Sequence, residues 1–280
     1  MMNLPDYLRR IGYAGPVAPD IETLRALHRA HLLGIAYENL DLHRESRREL
    51  SLDVACIYDK IVRERRGGWC YEMNGLFAWV LREIGFAVTL LGSAVGRLSN
   101  PSAMEDSHIL LKVTTPGSPE APWIADVGFG NAFLEPLPLT VGMYVQDGLT
   151  YRLERDQAER WWFTNHMHGG SGFDFSLKPF ALGEFAAPCQ WLQTSPDSGF
   201  VRVPVCHRHL TGGVIVTLRA LSLTTVIGEQ CQVDVIPSAQ TYAHILRDVF
   251  RLALPDDEID WLWRRASQMH LDWLAQQNAP

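Results

Sequence analysis

The segment Arg66-Gly67-Gly68-Trp69-Cys70-Tyr71-Glu72-Met73-Asn74 constrains this chain more than any other. Two consecutive glycines let the backbone bend tightly and leave a following side chain approachable. Leu76, Phe77, Val80, Leu81 and Ile84 then fall on one helical face, and Gly85 supplies a C-terminal stop. The spacing predicts a tight turn feeding a helix that begins at Cys70. A thiol there meets free backbone N–H groups and the positive end of the helix dipole, which favour its thiolate. A cysteine that merely packs in a core needs none of this.

The rest of a nucleophilic site can be read downstream. His108 opens the aliphatic run Ile109-Leu110-Leu111-Lys112-Val113, a buried-strand pattern, and Asp126 closes the shorter run Trp123-Ile124-Ala125. Between them, Thr114 to Pro122 is rich in proline and reads as a surface connection. The two strands are therefore expected to pair antiparallel, with His108 and Asp126 at the same open end. Asp126 is flanked by apolar residues, so its carboxylate needs a partner, and an imidazole suits it. Cys70, His108 and Asp126 then form a nucleophile, a base and an orienting acid. The thiolate attacks a carbonyl, the imidazole carries its proton, and the carboxylate fixes the tautomer and stabilises the imidazolium.

These residues resemble the motifs of the arylamine N-acetyltransferases. Arg66-Gly67-Gly68-Trp69-Cys70 is similar to that family's active-site signature. Ser107-His108 and Asp126-Val127-Gly128-Phe129-Gly130 resemble its histidine and aspartate motifs, in the same order. Tyr37-Glu38-Asn39-Leu40 resembles the early Phe-Glu-Asn-Leu motif, and Gln193-Thr194-Ser195-Pro196 a later stretch. Two departures stand out: Ala36 replaces the usual proline, and Asn131 stands where many relatives carry glycine or arginine. The resemblance implies acetyl transfer from acetyl-CoA, through a Cys70 thioester, to an arylamine, a hydrazine or an N-hydroxyarylamine. It implies a catalytic set of Cys70, His108 and Asp126, with Phe129, Ser107 and Gly130 near the substrate and no metal. The Cys70 N–H is a candidate oxyanion donor, and Arg66 is expected to brace the turn, with Glu38 as its partner. The same triad would also serve an amide or thioester hydrolase, or an amide synthase that closes macrocycles.

Composition narrows the alternatives. A net charge of −7 and a pI near 5.8 lack the basic footprint of a nucleic-acid binder. Small molecules are thus the expected partners, with local positive charge or backbone amides for the CoA phosphates. No segment reaches the roughly 20 apolar residues of a membrane span, so no membrane is expected. Met1 to Tyr13 has no secretory pattern, and the five cysteines are odd in number with no CxxC, which points to the cytoplasm. His166 with His168, and His207 with His209, would share strand faces, but no further ligand at metal-type spacing accompanies them. The oligomeric state is not legible.

Organisation along the chain is tripartite. Residues 1–90 read as helical, with Asp20 and Ser51 as candidate N-caps. Residues 91–205 carry strand signals. Residues 206–280 combine strands at 214–219 and 232–236 with two helices, the first capped by Ser238 and the last bearing a core stripe from Ile259 to Trp273. The fold class is α+β. The resemblance implies a helical bundle, a central β-barrel and an α/β lid around a cysteine-protease-like core.

Overall fold

Side-chain caps mark where the N-terminal helices begin. The computed structural model describes residues 1–277. In it the Asn3 side chain accepts the Asp6 N–H ahead of α1 (Leu4–Ile11), and Asp20 accepts that of Thr23 ahead of α2 (Ile21–Gly34). After the short β1 (Tyr37–Glu38), α3 (Val54–Tyr58) is capped by Asp53 and not by Ser51. The Asp53 carboxylate takes the N–H groups of Ala55 and Cys56, while Ser51 accepts the Asp53 N–H one step earlier. A π-helical turn continues to Arg63 and buries Ile61 and Val62. Helix α4 (Cys70–Ile84) starts at Cys70 and ends on Gly85 at φ 107°, a left-handed conformation glycine adopts without strain.

The central sheet has eight antiparallel strands. They are β2 (Ala87–Val95), β3 (His108–Thr115), β4 (Ser118–Ala125), β5 (Leu137–Pro138), β6 (Gly142–Gln146), β7 (Leu149–Arg155), β8 (Trp161–Thr164) and β9 (Phe173–Phe180), in the order β5-β4-β3-β2-β9-β8-β7-β6. The outer strands β5 and β6 are joined by residues 139–141, and the Tyr144 hydroxyl bonds back to the Pro138 and Thr140 carbonyls. The sheet thus curls until its ends nearly meet, like an almost closed barrel.

The β3–β4 connection is shorter than expected. Only Pro116-Gly117 turn, and Pro119 and Pro122 lie within β4. They fall where the register with β3 shifts, between the Thr115–Ser118 and Val113–Trp123 pairs, so a missing N–H costs no regular ladder bond. His166 and His168 follow β8 in a turn and not on a strand face; their Nε2 atoms bond the carbonyls of Asn131 and Glu229.

A second antiparallel sheet, in the order β1-β10-β11-β12-β13, adds β10 (Val205–Leu210), β11 (Val214–Arg219), β12 (Ser222–Ile227) and β13 (Gln230–Val235). Its first edge comes from the N-terminal segment, since Tyr37 pairs with His207 and Glu38 with Cys206. In the chain, α5 (Ala186–Thr194) and the one-turn α6 (Gly199–Arg202) connect β9 to β10. Ser238 caps α7 (Ala239–His244) by accepting the Thr241 N–H. On α8 (Asp256–Gln277), Ile259, Leu262 and Ala266 are buried, but Trp273 is 53% exposed. The apolar stripe outruns the body it packs on, and Trp273 stacks on His270 of the same helix.

Candidate active site

The turn before Cys70 is set by its neighbours. The Glu38 N–H donates to the Gly68 carbonyl at 2.9 Å, and Tyr37 bridges to Gly68. A methyl at Gly67 would collide with the Ala36 carbonyl and the Glu38 side chain, so this crossing requires glycine. Arg66 faces Glu38 at 3.5 Å, Asp41 at 3.1 Å and Glu258 of α8 at 3.2 Å. Lys60 joins Asp41 at 2.9 Å to Glu72 at 2.8 Å, and Glu72 also accepts the Trp69 N–H. Burial alone would raise the Asp41 carboxyl, but Lys60 and Arg66 outweigh it and bring its pKa down to about 2. Lys60 is likewise held charged against burial by Glu72, Glu38 and Asp41.

A different set of partners surrounds Asp126. His108, the first residue of β3, brings Nε2 to 2.7 Å from Asp126 Oδ2. The other carboxylate oxygen accepts from Asn74 Nδ2 at 2.8 Å and from the Gly128 N–H at 2.9 Å. The Asp126 N–H donates to His28 Nε2 at 3.0 Å, so His28 carries its proton on Nδ1, which donates to the Leu134 carbonyl at 2.9 Å. Burial drives the His28 pKa down to about 4, keeping that ring neutral at pH 7. Past Asp126 the chain runs directly over the start of α4. A methyl at Gly128 would lie 2.8 Å from Cys70 Cα and 2.6 Å from Asn74 Nδ2.

Cys70 and His108 open onto one cavity of about 840 Å³. Ser107 and Phe129 line it too; Ser107 Oγ accepts the Val95 N–H, and the Phe129 ring meets His108 edge-on with centroids 5.3 Å apart. Gly130, at φ 87°, instead lies against the His207 ring. Burial, then Cys189 and Asp126, push the Cys70 thiol well above its usual range, and only a hydrogen bond from the Tyr71 N–H opposes them. The helix start therefore does not by itself yield the thiolate expected from the sequence.

Several residues escaped the sequence reading. Asn74 and His28 lie on helices as ordinary polar positions, with no local signal that they converge on Asp126. His207, Thr217 and Arg219 form a cavity wall from β10 and β11, where His207 Nδ1 is 2.8 Å from Thr217 Oγ1. The register that pairs His207 with Thr217 places them together. Among the described residues, no cluster of three or more His, Cys, Asp or Glu side chains could hold a metal, and no helix is long and apolar enough to cross a membrane.

A buried thiol and a carboxylate-bound imidazole face one cavity, an arrangement chemically suited to the class of enzyme that uses a cysteine nucleophile. Comparison with known proteins narrows that class. An N-acetyltransferase family model matches residues 20–259. The arylamine N-acetyltransferase of Escherichia coli is 36% identical over 90% of each chain. The arylamine N-acetyltransferase / N-hydroxyarylamine O-acetyltransferase of Salmonella typhimurium is 34% identical, over 85% of this chain and 84% of its own. The solved structure of Mycobacterium marinum arylamine N-acetyltransferase in complex with CoA superposes with a TM-score of 0.86 at 29% identity, covering 95% of this chain and 99% of that one. The chain belongs to the arylamine N-acetyltransferase family, and it is an acyltransferase.

Proposed function

We propose that this protein transfers acetyl groups from acetyl-CoA to arylamines and hydrazines, and to the oxygen of N-hydroxyarylamines, by a ping-pong route through an acetyl-Cys70 thioester. The observation that carries this reading is the His108–Asp126 pair at 2.7 Å, opening with Cys70 onto one cavity. Asp126 holds His108 through Nε2, which leaves Nδ1 to take the Cys70 proton. The sulfur attacks the acetyl carbonyl carbon, with the Cys70 N–H as oxyanion donor. The C–S bond to CoA breaks, and His108 returns its proton to the departing CoA thiolate. The amine then attacks the thioester, His108 accepts a proton from it, and Cys70 leaves as a thiol. Because burial raises the thiol, the imidazolium stabilised by Asp126 is what makes ionisation feasible.

Phe129 and Ser107 flank the acceptor, and Gly130 keeps the Phe129 loop against His207. Arg219, on the far wall, supplies positive charge for the phosphates of CoA. In this reading residues 1–90 form the bundle, 91–205 the barrel and 206–280 the lid, with the triad between the first two. Five free cysteines accord with a reducing cytoplasm.

Intact-mass measurement after mixing with acetyl-CoA tests the proposal. One acetyl adduct is expected, mapped to Cys70, discharged by an arylamine and absent from Cys70→Ser. Release of CoA and free acetate without an adduct or an acetylated amine would instead indicate a hydrolase.

A further inference from the structure

We infer that Asn74 is the positioning residue that holds the His108–Asp126 pair in register with Cys70. The inference rests on the proposed triad but assigns a role to a residue outside it. Asn74 is completely buried and lies one helical turn after Cys70, on the same face of α4. Its Nδ2 donates to Asp126 Oδ1 at 2.8 Å and to the Ile109 carbonyl at 2.7 Å; its Oδ1 accepts the Val127 N–H at 3.0 Å. Ile109 is the neighbour of His108, and Val127 that of Asp126. One amide therefore touches the backbone beside the base, the backbone beside the acid, and the acid's own carboxylate.

The chemistry of the three partners leaves no freedom in how the amide is oriented. Val127 can only donate, while the Ile109 carbonyl and the carboxylate can only accept, so a flipped amide would break all three bonds. Aspartate would turn an oxygen toward Asp126, and leucine would satisfy none of the three. Asn74 also brings no charge. It fixes the carboxylate in place without neutralising the field that His108 needs. Without Asn74 the Asp126 carboxylate keeps only the Gly128 N–H and His108, and nothing from α4 indexes it to the sulfur.

The test follows Cys70 itself. Cys56 and Cys231 are exposed and would also react, so iodoacetamide labelling is read at Cys70 by peptide mass spectrometry across pH 5.5–9.5. In Asn74→Ala the labelling rate at pH 6 is expected to fall at least about tenfold and to approach wild type at high pH, because the ion pair with His108 is lost. Single-turnover acetylation by acetyl-CoA should fall about 100-fold, the scale of a misplaced reacting group, with little change in KM for the arylamine. Leu246→Ala, in the separate C-terminal core cluster, is the destabilised control whose pH profile should stay as wild type. A folded Asn74→Ala with the wild-type profile overturns the inference whatever its melting temperature. If alanine does not fold, Asn74→Ser, which retains a small polar group, is read by the same criteria. Wild-type protein lacking any low-pH reactivity at Cys70 would overturn the triad, and this inference with it.

Discussion

Two buried polar clusters flank Cys70, and they are satisfied in opposite ways. Behind the turn, the carboxylates of Glu38, Asp41, Glu72 and Glu258 are matched by the cations of Arg66, Lys60 and Arg44. Across α4, no arginine or lysine among the described residues lies within ion-pair distance of Asp126. Its donors are an asparagine amide, a backbone N–H and His108, while a neutral histidine takes its own N–H. The first cluster sets three cations against four carboxylates and pins the close backbone crossing at Gly67. The second fixes a carboxylate's position through an amide, a backbone N–H and the His108 imidazole. Cationic neighbours would hold Asp126 as firmly but would oppose formation of an imidazolium. Under the proposed mechanism, the difference separates a cluster that braces the turn from one that would serve proton transfer.

The strongest way to break this contrast is to neutralise Asp126. Asp126→Asn should lower turnover about 10⁴-fold, the cost of misorienting a triad imidazole. Labelling of Cys70 at pH 6 should slow and recover at higher pH. An unchanged pH profile would assign Asp126 to the structural side of the comparison.

Lys60→Met probes the opposite cluster. It leaves Asp41 with Arg66 and Arg44 but Glu72 with the Trp69 N–H in place of a cation, and breaking a buried pair this way costs about 3–5 kcal/mol. Denaturant unfolding should show that loss, while turnover per folded molecule falls far less than in Asp126→Asn. The reverse ranking would erase the distinction drawn here.

Acid should separate the clusters by pH. His28 is depressed from 6.5 to about 4 by burial, so below pH 6.5 the unfolded chain binds a proton that the folded ring refuses. Stability is therefore lost as the pH falls from about 6.5 to 4, and His43 and His207, also near 4, add to it. Asp41, lowered from 3.8 to about 2, contributes fully above pH 4 and is lost only as the pH falls through 2. His28→Gln keeps one donor and one acceptor but cannot titrate. It should flatten the decline in melting temperature between pH 6.5 and 4 by an equivalent of about 1–3 kcal/mol, and leave the region below pH 4 unchanged. A variant with the wild-type slope would show that His28 is not the titrating group.

The smallest effect is expected at the cavity surface. Phe129→Ala should alter acceptor selectivity by about 0.5–1.5 kcal/mol, the value of an aromatic contact beyond its area. KM for small arylamines should rise, and acylation by acetyl-CoA should change much less. Stopped-flow traces of both half-reactions decide it: equal slowing would make the ring a support for His108, which it meets edge-on.

Much of the scaffold could be read from local spacing. The glycine turn and helix at Cys70, the caps at Asp20 and Ser238, the stop at Gly85 and the hairpin joining His108 to Asp126 all follow from patterns a few residues long. Arg66 does face Glu38, at 3.5 Å, but its nearer partners Asp41 and Glu258 had no signal in the sequence. The misreadings have local causes. Ser51 lost the cap to Asp53, whose carboxylate reaches two N–H groups. Trp273 continued a helical stripe beyond the body that could cover it.

What tertiary structure alone decided is how polar groups distant in sequence meet. Asn74 on α4, His28 on α2 and the Asp126 turn have no shared periodicity, and neither do Cys70 and the wall of His207, Thr217 and Arg219. Secondary structure is encoded by neighbours three or four residues apart, so the elements and the order of their chemistry lie open in the chain. A buried hydrogen bond needs its partners placed to within a few tenths of an ångström, and that placement comes from the packing of whole helices and sheets against one another.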